Sequence, residues 1–234
     1  MPETHGSTTL DPHDDSASEW VAEFEAAARR PLETRFRYAF IKTYKPVLDD
    51  ADYRASTRRP TIAPGARRTS PTGWAMGAFE YRQAQEIRDL FARHGVRYLF
   101  GKAGAILLGF PDTTQDADVF AERSEANGQA IVSALRELGF ALTDVHAAEI
   151  RRGKDFVQLK NGPFDLDLIF APDGIESFEE AWQRRVEVEG FPVCHLDDII
   201  ASKAATNRVK DRESLPRLRS FRAYWRAHRP EGPR

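Results

Sequence analysis

The run Phe164-Asp165-Leu166-Asp167-Leu168-Ile169-Phe170 restricts the fold more than any other stretch of the chain. Its apolar residues alternate with carboxylates, and a period of two separates side chains only on a β-strand. Phe164, Leu166, Leu168 and Phe170 share one face, and Asp165 and Asp167 share the other. The apolar face must be covered by another layer. The carboxylate face needs water, a cation or hydrogen-bond donors. Asp167 lies deeper in the run than Asp165 and is the better candidate for an interior site, the alternative being an edge strand whose polar face meets water.

The elements around this strand point to a mixed sheet. Ala84, Ile87, Leu90 and Phe91 form a helical stripe that stops at His94-Gly95, and a short strand at Val96 to Phe100 follows. A second stripe, Ile131, Leu135 and Leu138, stops at Gly139 before Phe140 and Leu142. Between them lie a small-residue turn from Gly101 to Gly104, a short helix at Ala105 to Leu108, and a strand at Ala117 to Ala121. Phe156 to Lys160 and Phe164 to Phe170 read as two strands joined at Asn161-Gly162, a hairpin dipeptide. Helices are expected at Ser177 to Arg184, Leu196 to Asn207 and Ser214 to Arg226. The expected class is α/β (α+β), a small mixed sheet with flanking helices and a helical C-terminus.

Residues 1–18 read as a disordered acidic tail, 19–73 as a helical extension with a basic, proline-rich linker, and 74–234 as the main domain. A 234-residue chain that is 41% hydrophobic supplies one good core. Its single cysteine, Cys194, excludes a disulfide framework and a cysteine zinc cluster and fits a reducing compartment. No apolar run approaches the ~20 residues of a membrane span, so a cytoplasmic protein with no membrane partner is expected. Six histidines lack metal-ligand spacing, and the turn at Gly101 to Gly104 matches neither the Walker nor the dinucleotide fingerprint. Cys194 has only His195 as a neighbouring base, which argues against a cysteine nucleophile.

Three features carry chemistry. Asp116 and Asp118 head a strand at positions i and i+2, so both carboxylates reach one point. Adjacent like charges in a partly buried site repel by several kcal/mol, of the order expected at intermediate dielectric, and a divalent cation is the usual remedy. Alone, such a pair is also compatible with a solvated turn. A third carboxylate converging on the pair would make the arrangement used in two-metal phosphoryl transfer, and Asp167 is the candidate to test for it. Shared ligation then requires its Oδ atoms within about 5 Å of the other carboxylates. The third feature is Lys203, on the inward face fixed by Leu196, Ile199 and Ile200, with Arg208, Lys210 and Asp211 just beyond. An inward lysine either snorkels to the helix edge or pairs with an anion.

The run Gly101-Lys-Ala-Gly-Ala-Ile-Leu-Leu-Gly109-Phe-Pro-Asp-Thr-Thr114-Gln-Asp116-Ala-Asp118 resembles the signature of the nucleotidyltransferase superfamily related to DNA polymerase β. The small prokaryotic members, minimal nucleotidyltransferases and AbiEii-like abortive-infection toxins, are the most similar. The run Leu196-Asp-Asp-Ile-Ile-Ala-Ser-Lys203-Ala-Ala-Thr-Asn-Arg208-Val-Lys-Asp211 is similar to their lysine helix, and the likeness spans about Gln83 to Leu218. It implies a nucleotidyltransferase fold with Mg²⁺ or Mn²⁺ on Asp116, Asp118 and Asp167, the last also a base. It implies NTP phosphates, such as those of ATP, on Gly101, Lys102, Thr114, Lys203 and Arg208. The implied reaction moves an NMP to an acceptor hydroxyl of a tRNA, a protein or a small molecule, in a toxin–antitoxin or abortive-infection setting with an antitoxin partner. Arginines at 217, 219, 222, 226 and 229, with the basic segment from Arg29 to Arg68, favour tRNA among these. The chain departs from the family at Lys102, where Gly or Ser is usual, and at Asp112, where many relatives carry arginine. These departures motivate the alternative of a non-catalytic nucleotide-binding module; a metal-dependent nuclease is a third possibility.

Overall fold

In a computed structural model of the chain, residues 15–36, 79–160 and 162–228 are described. The expected linker, the boundary near Trp74 and most of the expected tail lie outside them. In chain order the elements are α1 (Asp15–Ala28), α2 (Tyr81–Arg93), β1 (Tyr98–Phe100), α3 (Lys102–Leu107) and β2 (Asp116–Ala121). There follow α4 (Glu125–Glu137), α5 (Asp144–Arg151), β3 (Phe156–Leu159), β4 (Asp165–Ile169) and α6 (Phe178–Gln183). The chain continues through β5 (Val186–Val188), β6 (Phe191–Val193), α7 (Leu196–Thr206) and α8 (Val209–His228).

The described strands form one six-stranded sheet in the order β3-β4-β2-β1-β6-β5. β2 and β4 run parallel, as do β1 and β6, while β1–β2, β3–β4 and β5–β6 are antiparallel. The expected mixed sheet with flanking helices and a helical C-terminus is what the chain adopts. Among the described residues no helix is long and apolar enough to cross a membrane.

The local sequence explains these elements. Ala84, Ile87 and Phe91 bury one side of α2, and Gly95 at φ 67° takes the left-handed conformation that ends it. Ser124 caps α4 by accepting from Asn127 N, and the buried Asn127 side chain clamps β1 to β2. It accepts from Arg97 N at 2.8 Å and donates to Arg97 O at 3.0 Å and Glu122 O at 2.9 Å. The N-terminal segment shares this core: Phe24 packs edge-on to Phe221 at 5.2 Å, and Phe36 packs on Phe79 at 5.7 Å.

Three local expectations change. The residues after Gly139 lead into α5, capped by Thr143, a helix that the sequence reading leaves out. β5 and β6 form a hairpin that the sequence reading leaves out, closed by Glu189 and Gly190 at φ 46° and 79°. The β3–β4 connection is wider than an Asn161-Gly162 two-residue turn, because the last pair is Leu159 with Leu166. A tight turn would set Lys160 opposite Pro163, which has no N–H for the ladder. Phe164 is instead buried against Phe79 and Phe140.

Candidate metal centre

Parallel pairing of β2 with β4 sets Asp116 beside Asp165 and Asp118 beside Asp167. The carboxylates of Asp116, Asp118 and Asp167 each offer an oxygen, and these oxygens all lie within 4.8 Å of one another. Asp165, despite its register, stays outside that group. Alternation explains the convergence: Ala117, Val119, Leu166 and Leu168 are fully buried on the opposite face, so the aspartates have only one side to point to.

Two neighbours orient the trio. The buried Thr114 hydroxyl bonds the Asp116 backbone carbonyl at 3.0 Å and lies 3.1 Å from its Oδ1. Gln158, opposite Asp167 on β3, donates from Nε2 to Asp167 Oδ1 at 3.0 Å. Burial, reinforced by the charges of Asp116 and Asp167, pushes the Asp118 carboxyl up to about 7, against the pull of Lys102 and Lys203. Burial also raises Asp167, with the Gln158 hydrogen bond opposing and the Asp116 charge adding. Three crowded carboxylates form an all-oxygen donor set suited to a hard divalent cation such as Mg²⁺ or Mn²⁺.

The glycine turn sits against this trio. Gly101 N donates to Asp118 O at 3.0 Å, which ties the turn to β2. Gly104 serves packing instead, since a Cβ there would fall 2.4 Å from Val193 Cγ1 on β6. Lys102 Nζ donates to Thr113 O at 2.6 Å and lies 3.3 Å from Asp112 Oδ2. Lys102 and Asp112 thus answer each other.

Lys203 and Arg208 are held elsewhere. Asn207, at φ 48°, turns the chain from α7 into α8 and brings Asp211 back beneath Lys203. The fully buried Asp211 receives Lys203 Nζ at 2.9 Å on Oδ1, and Arg208 Nε at 2.7 Å and Thr206 Oγ1 at 3.1 Å on Oδ2. Burial pushes this carboxyl up, but the Lys203 and Arg208 hydrogen bonds and the Lys203 charge outweigh it and hold Asp211 at about 2. Lys203 therefore acts on Asp118 as a nearby fixed charge rather than by contact.

The remaining expectations resolve individually. Cys194 is buried and its thiol is pushed far up by that burial, so it offers no thiolate. Arg222 and Arg226 bind Asp197 at 2.8 and 2.5 Å, and Arg217 binds Glu23 at 2.8 Å. Arg219 is exposed and Arg229 lies outside the described residues. Gln158 and Asp211 are the supporting residues to which sequence reasoning gives no role. The exposed–buried alternation of β3 was the available signal for Gln158. Comparison of the chain with family models, curated proteins and solved structures found no match in any of the three.

Proposed function

We propose that this protein is a divalent-metal-dependent nucleotidyltransferase that moves an NMP from an NTP to an acceptor hydroxyl. The observation that carries the proposal is the convergence of Asp116, Asp118 and Asp167 from two parallel strands, beside a glycine turn that bears Lys102. Asp116 and Asp118 hold the cation together with Asp167. Bound divalent cations neutralise phosphate charge and lower the proton affinity of the attacking hydroxyl. Thr114 and Gln158 keep two of the three carboxylates aimed before substrate arrives, so little reorganisation is needed on binding. Gly101 leaves the turn open to the triphosphate, and Lys102 supplies a cation at its edge.

In the transfer, the acceptor oxygen forms a bond to the α-phosphorus and the bridging P–O bond to the β-phosphate breaks. Pyrophosphate leaves with that electron pair, and the hydroxyl proton passes to Asp167 as the base. The test incubates the protein with Mg²⁺ and each α-labelled NTP in the presence of RNA, protein or small-molecule acceptors. Label transfer with pyrophosphate release, lost in Asp116→Ala, is expected. Equal nucleotide binding by both proteins without pyrophosphate release would refute the enzyme in favour of a binding module. Shortened RNA would identify a nuclease.

A further inference from the structure

The outer strand β3 places an aromatic side chain on the face of the sheet that carries the aspartates. Its residues alternate sharply: Val157 and Leu159 are each 3% exposed, whereas Phe156 is 46% exposed and Gln158 is also exposed. Register fixes where that outer side points. Gln158 pairs with Asp167, and Phe156 pairs with Ile169, which lies beside Phe120 of β2. One row of this face is therefore Gln158, Asp167 and Asp118, and the next is Phe156, Ile169 and Phe120. At one end of the second row Phe120 is covered by Phe178, with ring centroids 5.1 Å apart. At the other end Phe156 stays uncovered, ~7 Å along the strand from Gln158. Among the described residues the other large exposed apolar side chains are Val21, Val145 and Val209, so Phe156 is the one exposed Phe, Tyr or Trp ring.

The sheet order separates two approaches to the trio. β1 and α3, with Lys102, lie beyond β2, and β3 lies beyond β4 on the other side. A triphosphate on the glycine turn occupies the first side, which leaves the β3 side to the acceptor. A cation is also available there. Lys160, two residues beyond Gln158, is exposed and no carboxylate holds it among the described residues, unlike Lys102, Lys154 and Lys203. An exposed ring and an exposed ammonium on the open side of β3, with the carboxylate trio on the adjoining strands, match three parts of one ligand: a base, a phosphate and a terminal hydroxyl.

We propose that the open face of β3 is the acceptor platform: Phe156 stacks the terminal base of a single-stranded nucleic acid, Lys160 meets its phosphate, and its hydroxyl lies against Asp167. This rests on the nucleotidyltransferase reading and adds the acceptor class and the residues that select it. Stacking on an aromatic side chain tolerates any base, so the platform selects a single-stranded end rather than a sequence.

The test uses the full chain with Mg²⁺ and a short fluorescein-labelled single-stranded RNA, followed by anisotropy, and the same RNA with an abasic terminal residue. For the wild type, the abasic strand is expected to bind about tenfold more weakly. Phe156→Ala weakens the intact strand by the same factor and no longer distinguishes the two strands, whereas Phe156→Trp restores the difference. Mg²⁺–NTP affinity is unchanged in both variants, because Phe156 lies away from the glycine turn. Equal binding of intact and abasic strands by the wild type would overturn the platform, and needs no variant to fold. Transfer to a protein or small-molecule acceptor with the same KM in wild type and Phe156→Ala would overturn it too. Failure of the nucleotidyltransferase reading is separately visible as absent pyrophosphate release, whatever the anisotropy reports.

Discussion

Replacing Asp211 by asparagine tests the electrostatic scaffold beneath the site. Its carboxylate is fully buried and accepts from Lys203, Thr206 and Arg208. Holding it at about 2, below the 3.8 of a free aspartate, stabilises the folded state by ~2.5 kcal/mol at neutral pH, at about 1.4 kcal/mol per tenfold change in proton affinity. The sign follows from the depressed value. The stabilisation is complete above pH 4 and is lost as pH falls from about 4 to about 2, where the folded state also takes up the proton. Asparagine removes this contribution and strands the Lys203 ammonium, 17% exposed, without its counter-charge. Breaking a buried pair from one side costs about 3 to 5 kcal/mol, and the exposure of Arg208 brings the figure here to ~3 kcal/mol. Urea unfolding of both proteins at pH 7, 5 and 3 measures it. The expected difference is ~3 kcal/mol at pH 7 and 5, narrowing by pH 3. A difference below about 0.5 kcal/mol at pH 7, or one constant across the series, would refute the assigned role of Asp211.

Asp118→Asn removes a charge that burial and two neighbouring carboxylates disfavour. It is expected to stabilise the metal-free protein by about 2 kcal/mol at pH 7.5 and to abolish the rise in Tm on adding Mn²⁺, both visible in thermal unfolding. Because Asp118 keeps its proton up to about 7 in the metal-free protein, Mn²⁺ affinity measured calorimetrically should fall as pH drops below 7, by up to about tenfold per pH unit, and level off above pH 8. Asp112→Asn removes the counter-charge 3.3 Å from Lys102 Nζ, so Mg²⁺–NTP affinity should rise severalfold. Lys102→Met should lower that affinity, and Asp112→Asn should have no effect in the Lys102→Met background.

The carboxylate trio was legible because it depends on parity alone. Asp116 with Asp118, and Asp165 with Asp167, lie two residues apart on strands whose other faces are apolar, and any sheet that pairs those strands gathers them. The distinction between Asp165 and Asp167 came from depth in the apolar run. Register was harder. A two-residue turn at Asn161-Gly162 would set Gln158 opposite Asp165, whereas the observed pairing sets it opposite Asp167. The two arrangements differ by an even number of residues, so every side chain keeps its face and only the partner changes. β5 and β6 escaped notice because each is three residues long and their turn uses Glu189 at positive φ, where Asn, Asp or Gly is the usual signal. α5 buries only Ala147 and Ile150, too few positions to establish a period. The cation pairings were beyond sequence reading, since the left-handed Asn207 decides that the first turn of α8 folds back onto Lys203.

Those pairings distinguish the cations that the phosphates of a nucleotide would meet. Lys102, Lys203 and Arg208 each lie within bonding distance of an aspartate outside the trio. The Lys203–Asp211 pair is 17% and 0% exposed and is tied further by Thr206 and Arg208, so releasing Lys203 would leave a buried carboxylate bare. The Lys102–Asp112 pair is 29% and 27% exposed, and water can take over the solvation of either partner. At an effective dielectric near 20, a unit charge ~4 Å away is worth about 4 kcal/mol, and a polyphosphate presents several such charges where Asp112 presents one. Under the proposed function Lys102 is accordingly the cation that would change partners on nucleotide binding, and Lys203 the one that would stay in place and act through its field on Asp118. Arranged this way, the trio has no direct cationic contact of its own from either lysine, and its crowded negative charge is left for a divalent ion to meet.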